Sequence, residues 1–205
     1  MKHRTVSNPL ALVVLAWLTT GPMHPYELAR RLGGSGKDRS VKFNRGTLYT
    51  VVRQLVKAGF IEPREVVRDT QRPERTVYGL TEAGRTELRE WLHESVAVPQ
   101  AEYPFFGVAL SLLGAIPPEE AVDLLARRSA ALTNEIAATR ALVEDAQKQG
   151  LHWVFLAEEE YRARILKTEQ EYVDQLRPAL ADPEYAAAWR KAVGGTESNT
   201  AQTGS

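Results

Sequence analysis

The sequence contains no cysteine. Disulfides and thiolate metal sites are therefore excluded, and the absence suits a reducing compartment such as the cytoplasm. It also lacks any apolar run of 18 residues, so no membrane span is expected. The best candidate, residues 10–18, is too short, and no small-residue cleavage site follows it to suggest a signal peptide. The four histidines show no ligand spacing, and neither an HExxH word nor a glycine-rich phosphate loop occurs. Glu158, Glu159 and Glu160 are consecutive, so on a helix they point in different directions and do not make a carboxylate pair. The chain is expected to be no enzyme, to bind no metal and to use no cofactor.

Net charge is also missing, but its absence conceals an asymmetry. Residues 1–92 carry 16 Lys and Arg against 9 Asp and Glu, whereas residues 93–205 carry 10 against 17. Either the two halves attract each other, or a basic module meets an external anion while the acidic module does not. The basic residues cluster on particular elements, which favours the second reading. With 205 residues and 43 % apolar side chains, the chain can bury a core in one large domain or two small ones.

Asn8-Pro9 places an N-cap before a proline at the first helical position. Leu10, Val13, Val14, Trp17 and Leu18 then form one apolar face, ended by Gly21-Pro22. A second helix starts near Pro25, runs through YELARRL and stops at Gly33-Gly34. Residues 43–63 read FNRGTLYTVVRQLVKAGFIEP. Leu48, Val52, Leu55 and Val56 recur at helical spacing, while Arg45, Tyr49, Thr50 and Arg53 lie opposite, and Gly59 stops the helix. Two β-prone runs, IEPREVV and RTVYGL, flank a charged turn and read as a hairpin. Thr81 caps a fourth helix, with Leu88, Trp91 and Leu92 inward.

Helix, helix, helix, hairpin is the order of a winged helix-turn-helix, in which the third helix enters the DNA major groove. The free face of that helix is then polar and positive because phosphates and base edges lie against it. The expected DNA contacts are Lys42, Asn44, Arg45, Thr47, Tyr49, Thr50 and Arg53, with Arg68, Arg72 and Arg75 at the hairpin on grounds of charge. Tyr49 has a second reading as a core aromatic, although it sits about 100° from the apolar stripe.

The expected domains are 1–95 for DNA binding, a proline-marked linker at 96–104, and a helical dimerisation domain at 105–180. A tail at 193–205, small and polar, is expected to be disordered. The fold class is mainly α with one small β-hairpin. Within the second domain a short helix precedes Pro117-Pro118, and a long one runs from Glu119 to about Gln149. A further helix is expected from Leu151 to Arg177, ending at Pro178. Leu125, Leu132 and Ile136 on the first long helix, with Ile165 and Tyr172 on the second, form apolar seams at spacings of 3 and 4. Two such helices are expected to meet a second copy; the other reading is an isolated helical hairpin folded onto the winged domain. Trp153 is either a packing residue or, with Tyr103 and Phe106, one wall of a site for a flat aromatic ligand.

Three stretches resemble the PadR family of transcriptional regulators: YELARRL (26–32), GTLYTVVRQLVKAGFI (46–61) and VYGLTEAGRTEL (77–88). Residues 103–180, through PPEEAVDLL and EYRARIL, are similar to the long helical domain of its virulence-activator subgroup. The resemblance implies a homodimeric repressor on a palindromic operator of double-stranded DNA, released by a small aromatic effector. It implies that Tyr49 and Thr47 bond phosphate, and that Arg45 reads a base. A coiled-coil adaptor whose winged domain binds protein is the alternative; DNA binding would weaken steeply with salt, and an apolar protein contact would not.

Overall fold

The computed structural model describes residues 4–34, 44–67 and 75–200. The chain divides into two compact units, Met1–Glu102 and Tyr103–Ser205.

In the first unit, α1 (Pro9–Leu18) begins where the Asn8 side chain accepts a hydrogen bond from the Leu10 amide at 2.9 Å. It buries Leu10, Ala11, Val14, Leu15 and Leu18. Val13 and Trp17, expected on that face, are only half-buried. This helix is apolar nearly all round, so its sequence does not single out one stripe. α2 (Pro25–Gly34) and α3 (Arg45–Lys57) follow, packing Leu28, Leu32, Leu48, Val51 and Leu55 into the same core. Asn44 caps α3 by accepting from the Thr47 amide at 2.8 Å. At the far end the Phe60 amide bonds the Leu55 carbonyl and the Gly59 amide bonds Val56. That pairing is a Schellman turn, and it requires the φ of +73° that Gly59 adopts.

The wing is an antiparallel pair, β1 (Ile61–Val67) and β2 (Arg75–Leu80), in register from Ile61 opposite Leu80 to Val67 opposite Arg75. A shift between Pro63 and Glu65 absorbs the proline, which has no amide to donate. Met23 bridges to Tyr78 through two 3.0 Å backbone bonds, so the segment before α2 is tied to the wing.

α4 (Glu82–Ala97) is set on this frame by Thr81. The Thr81 hydroxyl donates to the Gly59 carbonyl at 2.7 Å and accepts from the Gly84 amide at 3.0 Å. A Cβ on Gly84 would stand 2.0 Å from the Phe60 carbonyl oxygen, so only glycine lets the helix sit this close. These contacts are the physical content of the word TEAG. Leu88 and Trp91 are buried, but Leu92 is 42 % exposed, contrary to expectation. Position 92 lies about 100° from its neighbour and falls off the inner stripe. Arg4 pairs with Glu87 and, at 2.7 Å, with Glu94, and its guanidinium lies over the Trp91 ring. Burial disfavours its charged form, yet the hydrogen bonds the guanidinium donates to both carboxylates outweigh this and hold its pKa above the ordinary arginine value.

The second unit starts with α5 (Phe105–Ser111) and a 3-10 turn at Leu113–Ala115. α6 (Pro118–Lys148) and α7 (Ala157–Leu180) then form a hairpin. They run antiparallel, as their cross-links show: Arg128 meets Glu169, Thr133 meets Gln170 and Glu135 meets Arg162. Residues 151–156, expected to open the second long helix, instead make the turn, with a 3-10 segment at Trp153–Phe155. Gly150, at φ +81°, and the His152 side chain, which accepts from the Val154 amide, interrupt helical bonding there. α7 does not end at Pro178 but carries it inside, since Val173 and Leu180 on either side are buried and hold the last turn.

A further helix, α8 (Pro183–Thr200), occupies residues 193–200, which were expected to be disordered. It starts where Asp182 accepts from the Glu184 amide at 2.7 Å, and the Trp189 indole donates to the Gly114 carbonyl at 2.8 Å. The tertiary anchor at Trp189 supports a helix that the Gly194-Gly195 pair alone would disfavour. Residues 201–205 lie outside the described part of the chain. Among the described residues no helix is long and apolar enough to cross a membrane.

Candidate nucleic-acid interface

α3 has one face in the core and one in solvent. Leu48, Val51, Val52 and Leu55 are buried, which fixes the helix axially and rotationally. Arg45, Tyr49, Thr50 and Arg53 are all exposed, as the sequence pattern requires. No acidic residue occurs anywhere in α3, so nothing on it neutralises the arginines.

Each expected contact acquires a specific surrounding. Tyr49 is 44 % exposed, which disposes of its reading as a core aromatic. Thr50 donates its hydroxyl hydrogen to the Gly46 carbonyl at 3.0 Å and accepts from the Arg53 guanidinium at 3.2 Å. Its hydrogen is thereby used within the helix, and it orients Arg53. Asn44 spends its side-chain oxygen on the helix cap, and its position explains Gly46, where a Cβ would crowd that oxygen at 3.3 Å. Thr47 is half-buried. Lys42, Arg68 and Arg72 lie outside the described residues, and for Arg75 only the backbone is described.

Two residues of α2 were not among the expected contacts. Tyr26 and Arg30, one turn apart and exposed, join Asn44 and Arg45 around a groove of about 320 Å³ between α2 and α3. Leu28 and Leu32 are buried on the other side of α2. The same 3–4 alternation in YELARRL therefore carried the signal. Helix-turn-helix modules lay the helix before the recognition helix across the DNA backbone, and a tyrosine and an arginine suit that place.

The expected aromatic ligand site does not form within one chain. Phe106 packs with Ala121, Leu125 and Val173 near the start of α6, whereas Trp153 lies in the turn beyond its end. With a rise of about 1.5 Å per residue, most of the length of α6, roughly 40 Å, separates them. Tyr103 is 89 % exposed, and Phe106 lies under the Arg128 guanidinium at 3.6 Å, a packing role. Its neighbourhood in α6 and α7 could not be paired with residues 151–155 from periodicity alone.

The expected dimer seam is also corrected in part. Leu125, Leu132 and Ile136 are buried by the chain's own hairpin. A heptad stripe is satisfied equally well by a partner in the same chain. Ile165 and Tyr172, by contrast, are each 50 % exposed.

Comparison with known proteins agrees with this geometry. Residues 14–90 match the model of the transcriptional regulator PadR-like family. The negative transcriptional regulator PadR of Bacillus subtilis (strain 168) is 25 % identical over 183 residues, covering 84 % of this chain and 96 % of that protein. Its crystal structure in complex with operator DNA superposes with a TM-score of 0.67 at 17 % identity, over 85 % of this chain and 99 % of that one. Its complex with p-coumaric acid gives the same TM-score and identity, over 87 % and 100 %. The virulence activator AphA of Vibrio cholerae gives 0.61 at 18 % identity, over 84 % and 98 %. These likenesses establish the winged-helix fold with a long C-terminal helical region. Residues 14–90 are thus similar in sequence to the PadR-like family of transcriptional regulators, and the rest of the chain shares its relatives' fold.

Proposed function

We propose that this protein is a sequence-specific repressor, acting as a homodimer on a palindromic operator and released by a small aromatic compound. Residues 1–95 bind DNA, and residues 105–180 pair two copies, the segment 96–104 joining the two functions. The observation that carries the reading is the acid-free, solvent-facing side of α3, with Arg45, Tyr49 and Arg53 exposed beside Tyr26 and Arg30 of α2. In this reading Tyr49, Thr47 and Arg53 bond phosphate, and Thr50 and Asn44 hold the reading helix in shape. Arg45, at the first turn, reads a base edge. Lys42, Arg68, Arg72 and Arg75 add positive charge on either side. The B. subtilis relative with operator DNA supports the DNA role, and its complex with p-coumaric acid supports an aromatic effector.

The test is fluorescence anisotropy on fragments flanking the protein's own gene, followed by competition with a panel of phenolic acids. A specific fragment should bind more tightly than random duplex, and its affinity should fall steeply with salt. Arg45→Ala should change the ranking of half-site variants, since a bidentate base contact discriminates by about 1–3 kcal/mol. Equal affinity for all duplexes would remove the sequence-specific reading. Retention of the operator at every phenolic concentration would remove the effector.

A further inference from the structure

α4 uses two of its sides within the first unit. Leu88 and Trp91 enter the core, and Glu87 and Glu94 hold Arg4. The remaining side carries Arg85, Arg89 and His93, four residues apart and all exposed. On a helix that spacing makes one row, about 12 Å long. Arg85 has only a loose contact to Glu82 at 3.9 Å, and 90 % of the Glu82 side chain lies in solvent. Arg89 and His93 make no hydrogen bond or ion pair with any described residue.

The row borders a hollow of about 290 Å³ between α4 and the end of α1, where Thr19, Leu88 and Leu92 complete the lining. Leu88 is buried, whereas Leu92 remains 42 % exposed beside it, so the hollow offers a leucine surface open to solvent. Thr19 donates its hydroxyl hydrogen to the Ala16 carbonyl at 2.6 Å. That hydrogen is spent within α1, and the rim's free donors are the two guanidiniums and the imidazole.

Two simpler roles leave part of this arrangement unused. A face that only keeps the helix solvated needs the charges but not the hollow. A face laid on DNA needs the charges but gains nothing from the leucines, since a phosphate is polar on every side. An apolar hollow with a few convergent polar groups is the anatomy of a small-ligand site. The rim selects the head group: guanidiniums take carboxylates in bidentate fashion, and an imidazole offers an N–H in either protonation state. The size selects the class of molecule. A folded partner would need about 800 Å² of surface on each side, far more than two turns of helix present.

We propose that this hollow binds a small carboxylate with a compact apolar body. Arg85 and Arg89 hold the carboxylate, His93 donates beside them, and the body lies on Leu88 and Leu92. The site belongs to the first unit alone and depends on neither the homodimer nor the aromatic effector.

Calorimetric titration of the full chain with cyclohexanecarboxylate tests this, with cyclohexanecarboxamide, acetate and inorganic phosphate as matched probes. Cyclohexanecarboxylate should bind in the millimolar range or tighter, as expected for a ligand of its size. The carboxamide has the same body without the charge, and acetate and phosphate have charge without the body. Each should bind at least about tenfold more weakly. Arg89→Gln and Leu92→Gln, both at exposed positions, should each weaken the carboxylate by roughly tenfold with an unchanged melting temperature. Arg64→Gln, at an exposed arginine of β1 that does not line the hollow, should leave binding as it is. In a parallel NMR titration the amide signals of Thr19, Arg89, Leu92 and His93 should shift. Absence of binding to wild type would overturn the proposal. Equal binding of acetate or phosphate would reduce the row to a charged surface, and equal binding of the carboxamide would remove the arginines from the site. Affinity unchanged in both Arg89→Gln and Leu92→Gln would place the ligand elsewhere. The probe is neither aromatic nor a nucleic acid, so each of these outcomes leaves the DNA and effector readings to their own test.

Discussion

Arg53 offers the most direct test of whether α3 lies against phosphates. Its side chain is exposed and held toward Thr50. Replacing it with alanine should leave stability within about 0.5 kcal/mol, because a surface position away from caps and cores contributes little. The effect on DNA should be larger. One charge-assisted bond to phosphate is worth about 1.5 kcal/mol, close to tenfold, and a dimer on a full operator loses it twice. The distinguishing quantity is the salt dependence. Each lost phosphate contact lowers the slope of log K against log[salt] by about 0.9, so the dimer loses about 1.8. The affinity ratio of wild type to Arg53→Ala should then shrink about 12-fold between 50 and 200 mM salt. Anisotropy titrations at four salt concentrations measure this. Thr50→Val, which keeps volume but releases Arg53, should lose affinity with an unchanged slope. A ratio that stays constant with salt for Arg53→Ala would refute the phosphate contact, and unaltered affinity would remove α3 from the interface at this position.

Gly84→Ala should unfold the first unit or force α4 off the wing, since its Cβ would overlap the Phe60 carbonyl; a melting temperature within 2 °C of wild type, by about the 1 kcal/mol scale for such domains, would contradict that packing. Thr81→Ala should cost about 1 kcal/mol through the lost cap, read by urea denaturation. Arg4→Ala leaves Glu87 and Glu94 facing each other with little solvent, and should cost about 3 kcal/mol; adding Glu87→Gln should recover part of it, and a simple additive loss would show that the cluster is not coupled. Ile136→Ala should destabilise the α6·α7 hairpin by about 2–5 kcal/mol rather than merely separate subunits, which calorimetry and sedimentation together resolve.

The first unit was legible because each of its helices carries its own punctuation. Asn8 and Thr81 bond the amides they were expected to cap, Asn44, expected only as a DNA contact, caps α3, and Gly59 makes the turn that ends it. The polar side of α3 was visible because its apolar side is strictly periodic. In the second unit the same periodicity misled. Leu125, Leu132 and Ile136 state that a face of α6 is covered, but not which helix covers it, and the chain supplies its own in α7. α8 was missed although Asp182-Pro183 repeats the cap-proline signal of Asn8-Pro9; the residues after Ala192 are small and polar and carry no periodicity, whereas in the fold Trp189 anchors the helix. Tyr26 and Arg30 went unremarked although the core stripe of α2 leaves them outward, because their proximity to Arg45 depends on the angle between two helices.

The junction at Gly59 and Phe60 has a mechanical meaning. The carbonyls of these two residues receive the Thr81 hydroxyl and amide, while their amides close the last turn of α3. Helix end, strand start and the next helix cap therefore share one dipeptide, and none can fray without loosening the others. Hydrogen exchange at the Phe60, Thr81 and Gly84 amides should accordingly proceed at one common rate, as a single opening unit. A twist applied to α4 is then delivered to the DNA-facing helix through a stiff coupling only two residues wide, with no flexible loop in which it could dissipate.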